Sequence, residues 1–159
     1  MNQPAINYIP QRPPMVMIDE LIKSGENSAT TSLAVKAINI FVENGVLAEP
    51  GLIENIAQTA AAMVGHQCSI QNIPVPVGFI AAVKNLKINS LPKVGTTIQT
   101  NIAVTNTVMD ITIVRGKIQQ DDNELCSCEM RILVKKGESS IHLKSISIPP
   151  SRKLRSPII

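Results

Sequence analysis

Aromatic side chains are nearly absent from this sequence: one Tyr, two Phe and no Trp in 159 residues. A core built from it must be aliphatic, and there is little on which nucleic-acid bases could stack. Charge of either sign is also sparse. Fifteen Lys and Arg against twelve Asp and Glu leave a net charge of +3, too mild for the basic footprint of a nucleic-acid binder. No apolar run approaches the roughly 20 residues of a membrane span, and the N-terminus lacks the charged-then-apolar pattern of a secretion signal. Histidine occurs only at His66 and His142, and cysteine only at Cys68, Cys126 and Cys128. Three cysteines make no disulfide framework, and the Cys126-Ser127-Cys128 pair lacks the further ligands that zinc requires. The expectation is a soluble, cytoplasmic protein with reduced thiols, no metal and no cofactor.

What the sequence does have is one long helical stretch among alternating β-branched runs. The stretch from Leu47 to Cys68 organises the rest. Pro50 and Gly51 predict a turn, and the helix formers that follow predict a helix running to Gly65. Ile53, Ala57, Ala60, Ala61, Val64 and Cys68 recur at helical spacing and define an apolar stripe, with Thr59 on the opposite side. Alanine in that stripe lets a neighbouring backbone come close. Glu54 and Gln58 border it one turn apart, so their side chains share a face. Glu54 reads either as a first-turn carboxylate favoured by the helix dipole or as a chemical group. Gln58 reads either as a solvated neighbour or as its holder.

Ahead of the helix, Ile9-Pro10-Gln11-Arg12-Pro13-Pro14 must be extended or tightly turned. Met15 to Ile18 suggests a buried strand or a short entry helix, Gly25 to Ser28 a turn, Thr31 to Lys36 a strand, and Phe41 to Glu49 a loop. After the helix, Asn72 to Pro76 is a connector. Strands are predicted at Val77–Ile88, Thr97–Thr107, Val108–Gln119 and Leu125–Lys135, with Cys126 and Cys128 facing one side. Composition shifts at Lys136. Residues 1–135 are therefore expected as one domain, and 136–159 as an extension holding an edge strand at Ile141–Ile148 and a basic tail around Arg152, Lys153 and Arg155. One helix among many strands predicts an α+β architecture, a long central helix wrapped by a strongly bent antiparallel sheet. A sheet with a free edge favours a dimer.

Three motifs in order resemble bacterial 3-hydroxyacyl-ACP dehydratases of the hotdog fold. Ile9-Pro10-Gln11-Arg12-Pro13-Pro14 with the apolar run to Asp19 is similar to their opening Leu-Pro-His-Arg-x-Pro…Asp. Pro50-Gly51-Leu52-Ile53-Glu54-Asn55-Ile56-Ala57-Gln58 resembles their Pro-Gly turn and Glu-x-x-Ala-Gln helix, and Ala82 to Gly95 their following strand and turn. The Gly-x-x-Glu-x-x-Ala-Gln spacing from Gly51 is similar to the dehydratase-like branch of aryl-polyene and flexirubin-type clusters. The resemblance implies that Glu54 protonates a departing 3-hydroxyl, that Gln58 holds Glu54, and that the Gly51 N–H polarises the thioester carbonyl. It also implies an acyl carrier protein or CoA thioester as ligand, and a dimer whose subunits share the acid and the base.

The base is where the chain departs from the family. The segment matching the family's His-containing loop, Phe41 to Leu47, holds no histidine, and Gln11 stands where the opening motif carries His. Asn44 cannot take up a proton, although it and Glu43 are placed to meet substrate. Glu43 is the available base, against its plainer reading as a solvated loop charge. His66 is twelve residues beyond Glu54, about 18 Å along a helix, and is expected to cap the helix C-terminus. The readings are then a dehydratase-like protein, either competent or paired as a degenerate subunit with an active dehydratase, a hotdog thioesterase using Glu54 to activate water, or a non-catalytic acyl-binding module.

Overall fold

The computed structural model describes residues 2–135. The edge strand, basic tail and His142 expected beyond them lie outside the described residues. In chain order the elements are β1 (Gln3–Pro4), a short 3-10 helix (Ala5–Asn7), β2 (Glu20–Ser24), β3 (Ser28–Ala34), β4 (Val42–Glu43), β5 (Val46–Leu47), α1 (Glu49–Gln71), β6 (Val77–Ile88), β7 (Thr97–Val108), β8 (Ile111–Gln120) and β9 (Asn123–Lys135). Seven strands form one antiparallel sheet in the order β1-β2-β3-β7-β8-β9-β6, and β4 with β5 forms a separate hairpin. The long helix packs against β2, β3, β6, β7 and β8. Among the described residues this is the one long helix packed on a large antiparallel sheet that the alternating runs implied.

Period-two alternation explains the sheet. Thr31, Leu33 and Val35 point inward from the β3 end, Ile98, Thr100 and Ile102 from β7, Val114 and Ile118 from β8, and Cys126, Cys128 and Met130 from β9. The aliphatic core follows from the near absence of aromatics. Two glycines set how close the helix can come. A Cβ at Gly116 of β8 would lie 2.4 Å from Ile56 Cγ2, and one at Gly65 of α1 would lie 1.9 Å from the Tyr8 carbonyl oxygen. Either contact is far inside van der Waals distance, so both positions require glycine.

The helix differs from its expected form at three points. Pro50 and Gly51 are inside its first turn, Pro50 taking a position where its missing N–H costs nothing. The far end runs on to Gln71 and closes at Asn72, left-handed at φ 53°, with Ile73 N–H bonded to Cys68 O at 3.0 Å and Asn72 N–H to Ser69 O at 3.3 Å. His66 is therefore not the cap; its ring meets that of Tyr8 edge-on at 5.2 Å. The buried face is also rotated from the expected stripe. Leu52, Asn55, Ile56, Thr59 and Met63 are buried, while Ile53, Ala57, Ala61 and Val64 are half-buried. Thr59 is completely enclosed, bonded to Thr31 Oγ1 at 2.7 Å and donating to Asn55 O at 2.8 Å.

Two connectors differ as well. Phe41 to Glu49 is not an open loop but contains the tight β4–β5 hairpin, with Asn44 (φ 51°) and Gly45 (φ 77°) at its turn. Asn-Gly is the pair such turns favour, because both positions need positive φ. Met15 to Ile18 is neither strand nor helix. Its backbone groups are taken up by side chains of α1 instead, which makes regular structure unnecessary there.

Candidate active site

Glu54 lies in the second turn of α1, since the helix begins at Glu49 and Glu49 is the first-turn acid. The dipole fades beyond that first turn, so the plain first-turn reading of Glu54 passes to Glu49. Glu54 is half-buried, and Gln58 Nε2 donates to its Oε1 at 2.9 Å. Gln58 is fully buried and clamped from three sides: Nε2 also donates to Met15 O at 2.7 Å, and Oε1 accepts from Met17 N–H at 2.7 Å. The solvated reading of Gln58 is thereby excluded. Both of its N–H donors are used and its orientation is fixed, one donor facing the carboxylate.

A second amide braces the first. Asn55 donates through Nδ2 to Met17 O at 2.7 Å and accepts from Thr100 Oγ1 at 2.5 Å. The Met15–Met17 segment is thus stitched to α1 by two buried carboxamides, and β7 is tied into the same network through Thr100. Inside a low-dielectric core such satisfied polar networks fix one geometry. Residue spacing did not single out Asn55; a polar residue four before Thr59 on one helix face was the available sign.

Beside this network runs an apolar cavity of about 330 Å³. Ala57, Ala60, Ala61 and Val64 form its helix wall, the segment Asn7 to Gln11 covers one side, and Val77 to Ile80 of β6 with Val114, Ile132 and Val134 close the rest. Ala57 to Val64 spans seven residues, roughly 10 Å. Ala57 is one turn beyond Glu54, so the carboxylate precedes the wall on the same helix side without itself lining it. The half-buried alanine stripe is explained by this: it borders a slot, not the sheet. No Asp, Glu, Lys or Arg lines the cavity.

Gln11 also lines it. Its Oε1 is buried, and among the described residues no group bonds to it. An unpaired buried acceptor costs about 1–3 kcal/mol, and such atoms are uncommon.

The remaining expected site residues stand apart. Glu43 and Asn44 are exposed at the tip of the β4–β5 hairpin and do not line the cavity within this chain. The Gly51 N–H donates to Ala48 O at 2.9 Å, and a Cβ there would meet Leu47 Cδ1 at 2.7 Å and Phe41 Cβ at 2.9 Å. The expected oxyanion donor is therefore already committed, and what Gly51 visibly provides is room for the hairpin to pack on the helix start. Cys126 and Cys128 are buried, and burial pushes both thiols up to about 11, the neighbouring Cys128 and Glu124 adding to the effect on Cys126. Thiols held so firmly protonated are structural.

Comparison with known proteins follows the geometry. Residues 3–142 match the model of the ApeP-like family, described as ApeP dehydratase. No curated protein matches the chain. Among solved structures, the dehydratase heterocomplex ApeI:P from Xenorhabdus doucetiae superposes with a TM-score of 0.79 at 16% identity, covering 89% of this chain and 97% of that one. A hypothetical thioesterase protein with coenzyme A from Streptococcus pneumoniae TIGR4 gives 0.60 at 10% identity, covering 73% and 84%. The E. coli PaaI protein from the phenylacetic acid degradation operon gives 0.56 at 12%, covering 71% and 80%. At such identities these likenesses establish the hotdog fold.

Proposed function

Because the chain belongs to the ApeP-like dehydratase family, we propose that it takes a 3-hydroxyacyl thioester, on acyl carrier protein or CoA, into the slot beside Glu54. The setting is cytoplasmic synthesis of a fatty-acid-like or aryl-polyene chain. The observation that carries this reading is the carboxylate at the start of an aliphatic slot, held by a fully buried Gln58.

In the reaction a base removes the C2 proton, the electron pair forms the C2–C3 double bond, and the C3–O bond breaks. Glu54 hands its proton to the departing hydroxyl, which leaves as water. Gln58 keeps the carboxyl aimed while this happens. The base is the missing part. His66 is twelve residues along the helix, about 18 Å from Glu54, and rests on Tyr8.

We assign the base to a second subunit. Strand β6 stands at the sheet edge with Val77, Phe79 and Ile80 exposed, the kind of edge that another chain's strand covers. A relative of known structure is a dehydratase heterocomplex, which supports a partner that is itself a dehydratase. Gly51 enters this scheme only if its N–H is shared with the thioester oxygen.

The test is turnover of a 3-hydroxyacyl thioester by the full chain alone and mixed with a partner dehydratase. Enoyl product that requires both chains, and that falls about a hundredfold or more with Glu54→Gln, is the expected result. Full activity from the chain alone would overturn the shared site and turn attention to Glu43. Release of free acid and thiol would assign a thioesterase, a chemistry that Glu54 and Gln58 could support without histidine. Binding without turnover that survives Glu54→Ala would leave an acyl-binding module.

A further inference from the structure

We propose that Gly78 is a specificity-determining residue of this slot: the side chain it lacks leaves the end remote from Glu54 open to the far carbons of an acyl chain, and so sets the chain length the slot takes. This rests on the slot being an acyl-thioester site and deepens that reading.

Nothing in the described chain asks for glycine here. Gly65 and Gly116 leave no room for a Cβ, and Gly45 and Gly95 have positive φ. Gly78 has neither reason. It stands inside β6 without a positive φ, and a Cβ there would meet only Ile132 Cγ2 at 3.2 Å and Leu133 O at 3.9 Å. The nearer contact is with one methyl group, which a small side-chain shift relieves. Glycine inside a strand weakens it, and marks a place where a ligand or a second backbone comes close.

Direction favours the ligand. Gly78 pairs with Val134, and paired residues share a face of the sheet. Val134 and, two residues before it, Ile132 both line the slot, as does Gly78 itself. The missing side chain would therefore stand on the slot wall. A strand added at the β6 edge would instead bond to backbone N–H and C=O groups in the plane of the sheet, where a Cβ does not point.

Position makes the residue a gauge of length. Gly116, which meets Ile56 just after Glu54, pairs with Cys128. Val134 is six residues further along β9, about 20 Å at 3.3 Å per residue. The slot-lining Val114, Thr112 and Ile132 fall within that stretch. A chain whose reacting carbons stand beside Glu54 meets Gly78 only with its far carbons.

At roughly 30 Å³ for each water-sized group, the 330 Å³ cavity holds about ten of them, so a ten-carbon chain fills it and a six-carbon chain does not. Binding of decanoyl-pantetheine and hexanoyl-pantetheine is measured on the full chain, with and without a partner dehydratase, for wild type, Gly78→Ala and Gly78→Val. Wild type should prefer the longer probe at least about tenfold, from the extra CH₂ groups it buries. Gly78→Val should bring that ratio close to one, hold hexanoyl-pantetheine as wild type does, and melt no lower. Gly78→Ala should cut the ratio about threefold, and it decides the matter if the valine variant does not fold. Equal binding of the two probes by wild type overturns the proposal, as does a preference that both variants retain. An equal loss of both probes with the ratio kept also overturns it, because the added carbons would then not be at the far end. If neither probe binds wild type under either condition, the acyl-thioester reading of the slot falls too, an outcome distinct from loss of length selectivity alone.

Discussion

The two long faces of α1 are made of similar residues and do opposite things. One face carries Leu52, Asn55, Ile56 and Thr59 into the sheet, where every polar side chain is bonded and Gly116 admits Ile56. The other carries Ala57, Ala61 and Val64 along a slot that nothing in the described chain fills, with Glu54 one turn ahead of it. Small size serves both, for different reasons. On the sheet side it allows close approach; on the slot side it leaves space. The difference teaches that the polar side chains Asn55 and Thr59 mark the scaffold, whereas the alanines mark the site.

Four measurements break or sharpen that contrast. Asn55→Ala should be the most damaging, since it strands Met17 O and Thr100 Oγ1 inside the core. About 3–5 kcal/mol of stability is expected to go, read as a shift of the urea midpoint. A loss below about 1 kcal/mol would mean that the sheet side is not the rigid one. Next comes a pair of neighbours on opposite faces. Ala62→Leu, at a fully buried position, is expected to cost roughly 1–3 kcal/mol by overpacking. Ala61→Leu should cost less than about 0.5 kcal/mol while blocking acyl-thioester binding. Equal destabilisation of the two, in parallel thermal melts, would erase the distinction between faces.

Thr59→Val should lose about 1 kcal/mol, the worth of its bonds to Thr31 and Asn55, with acyl binding unchanged. The last measurement is a pH dependence. Burial raises the folded thiols of Cys126 and Cys128 from 9.0 to about 11. Between those values the unfolded chain releases protons that the folded chain keeps, so unfolding draws on fewer bound protons and stability falls as pH rises. Their contribution is whole below pH 9 and is lost as pH climbs through 11. Urea melts of wild type and Cys126→Ala/Cys128→Ala over that range should diverge in slope, the double variant declining less.

Much of the sheet was legible because alternation of β-branched residues has one reading. Strand β6 falls at Val77–Ile88 as its pattern predicts, and β7 and β9 within two residues of theirs. The β4–β5 hairpin reads only as a loop: Asn44-Gly45 is its turn pair, but two-residue strands leave too little alternation to register beside it. The segment from Met15 to Ile18 could not be read, because the partners of its backbone are side chains 41 and 38 residues away. The helix face misled for a related reason. Hydrophobicity ranks alanine above threonine, yet Thr59 has hydrogen-bond partners in the core and Ala57 and Ala61 have a cavity beside them.

The sequence by itself determined what local geometry controls: the alternation of the strands, the existence of the helix, and the meeting of Glu54 with Gln58, which a spacing of four on any helix produces. Only the tertiary structure decided which side of that helix is sealed, that Gln58 is gripped by Met15 and Met17, and that the slot runs past Gln11. Those depend on contacts between segments far apart in the chain, and no local pattern encodes which distant backbone a buried amide will find.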